Sequence, residues 1–187
     1  MIANETIEGV DFTAEKLTTE YECCEFINCH FSAADLSNIA FIECTFDRCD
    51  LSNSILKETA FKDVKFENCK LLGLQFDDCN KFLLEMTFSN CQLDFASFYG
   101  LKLKGVQFKS CKLQEVDFTD ADLTEATFNQ SSLTGAVFYH TALEKADFRQ
   151  ASDYAFDPEV NEIRRAKFSL PEVIGLLSKY DIQISNG

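Results

Sequence analysis

The stretch DFTDADLTEATFNQSSLTGAVF, residues 117–138, places Phe118, Leu123, Phe128, Leu133 and Phe138 five residues apart. An α-helix repeats near 3.6 residues and a half-buried strand repeats at 2, so neither element accounts for this apolar period. A longer unit sets it, and that unit runs through most of the chain. From Tyr21 the series continues at Phe26, Phe31, Leu36, Phe41, Phe46, Leu51, Leu56, Phe61, Phe66, Leu71 and Phe76. After a slip of two residues it resumes at Phe88 and passes through Leu93, Phe98, Leu103, Phe108 and Leu113 to the stretch above, ending at Leu143 and Phe148. Two residues before each centre stands a small or slim side chain, such as Cys24, Ala34, Cys49, Val64, Cys91, Val106 or Ala121. The positions between are mostly polar.

The pentads ADLTE (Ala121 to Glu125) and ADFRQ (Ala146 to Gln150), with AADLSN around Leu36, resemble the consensus A-[DN]-L-x-x of the pentapeptide-repeat family. The resemblance covers about residues 10–150. It implies an all-β fold, a right-handed quadrilateral parallel β-helix in which four pentads make one square coil. The residues support the square independently, because positions twenty apart match in type. Phe88, Phe108, Phe128 and Phe148 form one such column and Phe98, Phe118 and Phe138 another, with Leu at the remaining two. An interior packed to crystal-like density favours rings stacked on rings in successive layers. Roughly seven coils at the inter-strand spacing of ~4.8 Å predict a rod of about 34 Å.

The nine cysteines invite a metal or disulfide reading. Eight of them, Cys24, Cys29, Cys44, Cys49, Cys69, Cys79, Cys91 and Cys111, fall in the slot that Ala takes elsewhere, or where a pentad would have placed it, and are expected to be reduced small core residues. Parallel stacking at ~4.8 Å separates their Cβ atoms beyond the ~3.8 Å that a disulfide prefers. No cofactor, metal site or enzyme chemistry is expected. His30 and His140 lie far apart with no Cys or carboxylate at a ligand spacing, and each is expected to face solvent. Gly73, Gly100, Gly105 and Gly135 fall in pentad turns, where freedom to take positive φ is useful.

Charge narrows the partners. Lys and Arg total 17 against 31 Asp and Glu, a net of −14, which argues against direct binding of nucleic acid through its phosphates. Residues 1–60 hold 12 acidic and 3 basic side chains, while residues 61–120 hold 9 and 8, with Lys102, Lys104, Lys109 and Lys112 close in sequence. No apolar run is long enough to span a membrane, and MIANETIEGVDF lacks the basic region and apolar core of a signal peptide. A cytoplasmic protein is the expectation.

Two interruptions break the pattern. In FDDCNKFLLEMTF, residues 76–88, twelve residues replace the ten of two pentads, so one side of the square must bulge near residues 77–87. Asp77, Asp78, Asn80, Lys81 and Phe82 are candidate partner contacts there, and part of Phe82, Leu83 and Leu84 is expected to tuck onto the core. The second interruption follows Phe148, dividing a β-helix of residues 1–153 from a C-terminal cap and dimerisation segment of residues 154–187. Ser169 and Glu172 make a capping-box pattern, Phe168 and Val173 a hydrophobic staple, and Leu170, Val173, Ile174 and Leu177 an apolar stripe. These predict an α-helix from about Leu170 to Tyr180, followed by a short strand at Ile182 and Ile184.

Pentads followed by DPEVNEIRRAKFSLPEVIGLL resemble the Qnr-type quinolone-resistance branch of the family and its topoisomerase-poison immunity relatives. That resemblance implies two rods paired end to end through the C-terminal segment, and binding to DNA gyrase or topoisomerase IV with the acidic rod standing in for duplex DNA. Outward acids such as Asp35, Asp50, Asp117 and Asp122 are the candidate contacts. Leu170, Val173, Ile174, Leu176, Leu177 and Tyr180 are the candidate homodimer interface, with Gly175 read as a point of close backbone approach. The alternative is an interaction scaffold with an unrelated protein partner.

Overall fold

The computed structural model describes residues 1–14 and 17–185. Among them are eleven short strands: β1 (Ile2–Ala3), β2 (Thr6–Glu8), β3 (Glu20–Glu22), β4 (Glu25–Ile27), β5 (Ala40–Ile42), β6 (Thr45–Asp47), β7 (Ala60–Lys62), β8 (Val64–Glu67), β9 (Met86–Ser89), β10 (Gln107–Lys109) and β11 (Thr127–Asn129). Every pairing is parallel. One sheet has the order β1-β3-β5-β7 and the other β2-β4-β6-β8-β9-β10-β11. Registers of Phe26 on Phe46 and Phe108 on Phe128 put positions twenty apart in direct contact, and Phe66 on Phe88 absorbs the two-residue slip. Isolated parallel bridges complete the other two sides of the square and carry the ladder on through Glu162 and Lys167. The fold is the quadrilateral β-helix that the family resemblance implies and the twenty-residue matching supports.

Each corner has a local cause. The residue two places after a pentad centre takes the left-handed conformation, as at Asn28 (φ 52), Asn38 (φ 61) and Asn53 (φ 56). Asn tolerates that region better than other side chains with a Cβ, and Gly73 (φ 67) and Gly105 (φ 75) occupy it without strain. At Gly73 a Cβ would in addition meet the Asn53 side chain at 2.6 Å.

The interior is built of aromatic columns. On the second face, counted in chain order from Tyr21, Phe26, Phe46, Phe66, Phe88, Phe108, Phe128 and Phe148 stack with ring centroids 4.7–5.4 Å apart. Above the break the partner column is Phe76, Phe98, Phe118 and Phe138 on the fourth face, opposite the second. Below it the partner column is Tyr21, Phe41 and Phe61 on the first face, adjacent to the second. Phe therefore alternates with Leu around the coil only above the break. The coil that begins at Phe61 holds Phe61, Phe66 and Phe76 together, and there the second ring column changes sides.

The slot two residues before each centre selects small or slim side chains, and those that carry a donor use it on the backbone. Ser54 Oγ donates to the Phe31 carbonyl at 2.8 Å and Thr59 Oγ1 to that of Leu36 at 2.8 Å, each twenty-three residues back. Cys49 and Cys69 repeat the contact through Sγ, at 3.3 Å to the Phe26 and Phe46 carbonyls. All nine cysteines are free, and eight are buried in this slot or its equivalent. Burial pushes the Cys44 thiol up to about 11 and raises that of Cys79 as well. Cys23 is exposed. Native protein treated with iodoacetamide near pH 8 is therefore expected to gain one carbamidomethyl group, at Cys23, and nine after denaturation, as read by intact mass. Rapid native labelling of several thiols would contradict the buried assignment.

The C-terminal segment departs from the predicted α-helix. Residues Glu172–Tyr180 form a 3₁₀ helix, in which side chains three apart eclipse. Period three divides the predicted stripe. Leu176 is buried on the last coil and Val173 packs beside it, whereas Ile174, Leu177 and Tyr180 line up outward. The capping box is not formed: Ser169 Oγ donates to the Arg149 carbonyl and Glu172 accepts from the Asp153 N–H, so both residues tie the segment to the coil beneath. Gly175 lies against the Tyr154 carbonyl of the same chain, where a Cβ would collide with the backbone. The close approach is thus intramolecular. Ile182 and Ile184 are exposed and belong to no strand.

Candidate functional site

A square solenoid exposes three of every five residues in straight columns, so a site on it is a set of neighbouring columns. The structure does not gather the four outward aspartates into one. Asp35 and Asp117 project from the fourth face, four coils apart. Asp50 lies on the third face between His30 and Lys70, and Asp122 on the first face between Lys102 and Ala142. Each has local work to do. The backbone N–H two residues on donates to Asp35 at 2.9 Å (from Ser37), to Asp50 at 3.0 Å (from Ser52), to Asp117 at 2.8 Å (from Thr119) and to Asp122 at 3.0 Å (from Thr124). These are Asx turns that start the corner. Bonding to Ser37 holds the Asp35 carboxyl below its ordinary range. The acid at this position is thus a turn former before it is a contact.

At the break Asp77 and Asp78 belong to a 3₁₀ turn, Phe76–Asp78, on the fourth face. Asp77 is half-buried, with Oδ1 shielded and unpartnered among the described residues. Asn80, Lys81 and Phe82 follow at the corner leading to the first face, where the Asn80 side chain accepts from the Phe82 N–H at 2.9 Å. Phe82 and Leu83 remain exposed, and Leu84 alone of the apolar trio packs on the core. The four lysines that cluster in sequence are separated: Lys102 and Lys104 lie on the first face, Lys109 on the second and Lys112 on the third.

One acidic neighbourhood was not legible in the sequence as a site. Glu5, Glu22, Glu25 and Glu43 are all exposed, and the coil register places them at the corner between the first and second faces near the N-terminal end. The Glu25 N–H donates to the Glu5 carbonyl at 2.9 Å, and Cys23 Sγ lies 3.6 Å from Glu43. Partial desolvation and then the Glu43 carboxylate raise the Cys23 thiol. The signal was present in the ratio of 12 acidic to 3 basic residues over 1–60, but only the coil register brings these four together. Ion pairing sharpens the contrast. Toward the C-terminus Glu125, Glu144, Asp147 and Asp157 are matched by Lys145, Arg164, Arg149 and Lys179, whereas among described residues before the break Asp47 with Arg48 is the one acidic residue so paired. Among those residues no group of three or more His, Cys, Asp or Glu is placed to hold a metal ion. Among the described residues no helix is long and apolar enough to cross a membrane.

The sequence matches the family described as pentapeptide repeat region over residues 19–98 and 60–138. The chain belongs to the pentapeptide-repeat family. Among solved structures, a trypsin-treated form of QnrB1, described as a plasmid-mediated fluoroquinolone resistance protein, is similar at 20% identity and a TM-score of 0.49, covering 98% of this chain and 97% of its own. HetL, a pentapeptide repeat protein involved in heterocyst differentiation regulation from the cyanobacterium Nostoc sp. strain PCC 7120, is similar at 16% identity and a TM-score of 0.40, covering 89% and 86%. No curated protein matches the sequence. A pentapeptide-repeat rod of this kind presents fixed rows of side chains on a regular parallel ladder.

Proposed function

We propose that this pentapeptide-repeat protein is a cytoplasmic DNA mimic that binds a type II topoisomerase, DNA gyrase or topoisomerase IV, and protects it from quinolones or natural poisons. The observation that carries the reading is the acidic corner of Glu5, Glu22, Glu25 and Glu43, which form no ion pair among the described residues, on a rod of net charge −14. Duplex DNA presents one charge per ~1.7 Å, and an enzyme channel that binds it is lined with basic groups. Adjacent columns on a rod with ~4.8 Å layers multiply charge along the axis and hold it rigidly, so little ordering entropy is lost on binding. The resemblance of the C-terminal segment to the Qnr-type branch points the same way.

The second part of the proposal is a homodimer through the cap. Leu170, Ile174, Leu177, Tyr180, Ile182 and Ile184 leave an apolar surface larger than a solvated cap needs. Leu176 and Val173 are spent on their own coil and fall outside the interface. Two-fold pairing is the commonest form of soluble oligomer. Light scattering at micromolar concentration is expected to give a dimeric mass for the intact chain and a monomeric mass for Leu177→Asp. A monomeric intact chain removes this part.

Supercoiling and drug-induced cleavage assays with purified gyrase, titrated with the protein, test the main reading. Fewer cleavage complexes are expected as the protein is added. Replacing Glu5, Glu22, Glu25 and Glu43 by Gln is expected to weaken binding at least about tenfold and to flatten its salt dependence. Asp35, Asp50, Asp117 and Asp122 should be changed to Asn, which keeps the turn acceptor while removing charge; their dispersal over three faces predicts a smaller loss. The near-neutral middle of the rod favours the second reading, a scaffold for an unrelated protein. An inert titration would select it, whereas tight binding indifferent to all eight neutralisations would overturn mimicry through these acidic residues.

A further inference from the structure

The first face is interrupted where the register slips. Its sheet ends at β7, whereas the sheet on the second face continues to β11. On the other side of the gap Lys102 bridges to Asp122 above it and, among described residues, to no residue below. The pentad spacing assigns the intervening interior position to Lys81, which is exposed, and Leu84 enters only partway. Hydrogen bonds from the Asn80 N–H to Thr59 and from the Glu85 N–H to Phe61 anchor the two ends of this segment. Its middle stands off the face. Two adjoining hollows lie alongside, of about 380 and 300 Å³, sharing Leu84 and Lys102.

The surroundings define what could occupy them. Lys81, Lys102 and Lys104 line the hollows against one carboxylate, Glu85, and Lys62 Nζ sits 5.8 Å from the Phe82 ring nearby. Among described residues Lys62, Lys81 and Lys102 form no ion pair, and Lys104 reaches Glu125 at 4.0 Å. A basic cleft on a chain of net −14 is opposite in sign to most of its surface, which selects an anionic occupant. Lys102 is an isolated bridge residue with no ladder partner below it among the described residues, so an extended backbone laid beside it can satisfy its free N–H and C=O groups, as in strand addition. Exposed Phe82 and Leu83 offer apolar contact to side chains on one side of such a strand.

We propose that this cleft accepts an extended acidic segment of a partner protein, added as a strand beside Lys102 with its carboxylates on Lys81, Lys102 and Lys104. The proposal is independent of topoisomerase binding, which would use the acidic corner. The probe is a fluorescein-labelled peptide of about eight residues, a common strand length, alternating Asp with Val. Saturable anisotropy is expected with the intact protein, weakened at least about tenfold by Lys81→Glu with Lys102→Glu and weakened by added salt. Both lysines are exposed, so the variant should keep the parent circular dichroism and melting curve. Phe82→Ala, which leaves the charge untouched, is expected to weaken binding several-fold. A peptide of the same charge with Pro in place of Val lacks alternate ladder donors and is expected to lose most of the affinity. Absence of saturable binding to the intact protein overturns the proposal. So does binding that survives charge reversal or that the Pro peptide matches. Capture of inorganic polyphosphate with no affinity for the Asp–Val peptide assigns the lysines to phosphate and overturns the strand.

Discussion

Phe128→Ala is expected to cost about 3–5 kcal/mol, while Asn129→Ala, one residue on, is expected to stay within about 0.5 kcal/mol. The contrast follows from the coil. The Phe128 ring is fully buried, stacked 5.4 Å from Phe108 and 4.7 Å from Phe148, and meets Phe118 and Phe138 edge-on. Each wall of the square is held by backbone bonds to the coils above and below, so the walls cannot close over the void and the cavity persists. Asn129 points to solvent from β11. Because each coil touches only its neighbours, the loss also weakens the coupling between the two parts of the rod it separates, and unfolding of the variant is expected to broaden. Urea melts of both proteins followed by circular dichroism provide the measurement. Equal losses at the two positions would refute the inward assignment of Phe128.

The second large effect is expected at Gly175. A methyl group there would collide with the Tyr154 carbonyl, which is backbone and cannot swing aside as a side chain could. Gly175→Ala must therefore lift the 3₁₀ helix from the final coil, at a cost of about 1–3 kcal/mol for the overpacking, with further loss as Leu176 and Val173 leave the core. The outward ties would go with it: Lys179 bonds Asp157 at 2.8 Å and Glu159 at 2.7 Å, and the Tyr180 hydroxyl donates to Glu159. Limited trypsin digestion reads this directly. Cleavage after Lys179 is expected to accelerate at least about tenfold in the variant, the order of ratio that 1.4 kcal/mol of local opening produces. Parental protease resistance and melting would show that the cap does not rest on this contact.

The sequence-level reading was most complete where one pattern repeats. Five-residue spacing carried the family resemblance that implies the square, twenty-residue matching supported it and specified the stacking, and the small slot accounted for eight cysteines at once. These signals are redundant, so a local exception such as Lys81 cannot hide them. What stayed hidden depends on single contacts. The cap is a 3₁₀ helix whose Gly175 lies against Tyr154, and its three-residue rather than 3.6-residue period places Leu176 inward and Ile174, Leu177 and Tyr180 outside. The turn-forming role of Asp35 and its counterparts is a hydrogen bond between residues two apart, indistinguishable in sequence from any surface acid. The glutamate corner draws one or two residues from each of three successive coils, and no linear window contains it. The same holds for the lysines, which neighbour one another in sequence and yet occupy three faces.

The exchange of aromatic columns at the break limits how a rod of this kind can change length. From Phe88 to Phe148 successive coils present the same interior, so removing residues 103–122 would seat Leu123 where Leu103 was, Phe128 over Phe88 and Phe138 over Phe98. Below it, removing residues 41–60 would set Phe61 over Tyr21 and Phe66 over Phe26. The coil that starts at Phe61 has no such substitute, because its three rings join two incompatible stacking orders. The molecule is in effect two rulers joined by one irreplaceable splice. Each ruler can be lengthened or shortened by whole divisions of ~4.8 Å, altering the distance from the splice to either end while the splice keeps its own shape.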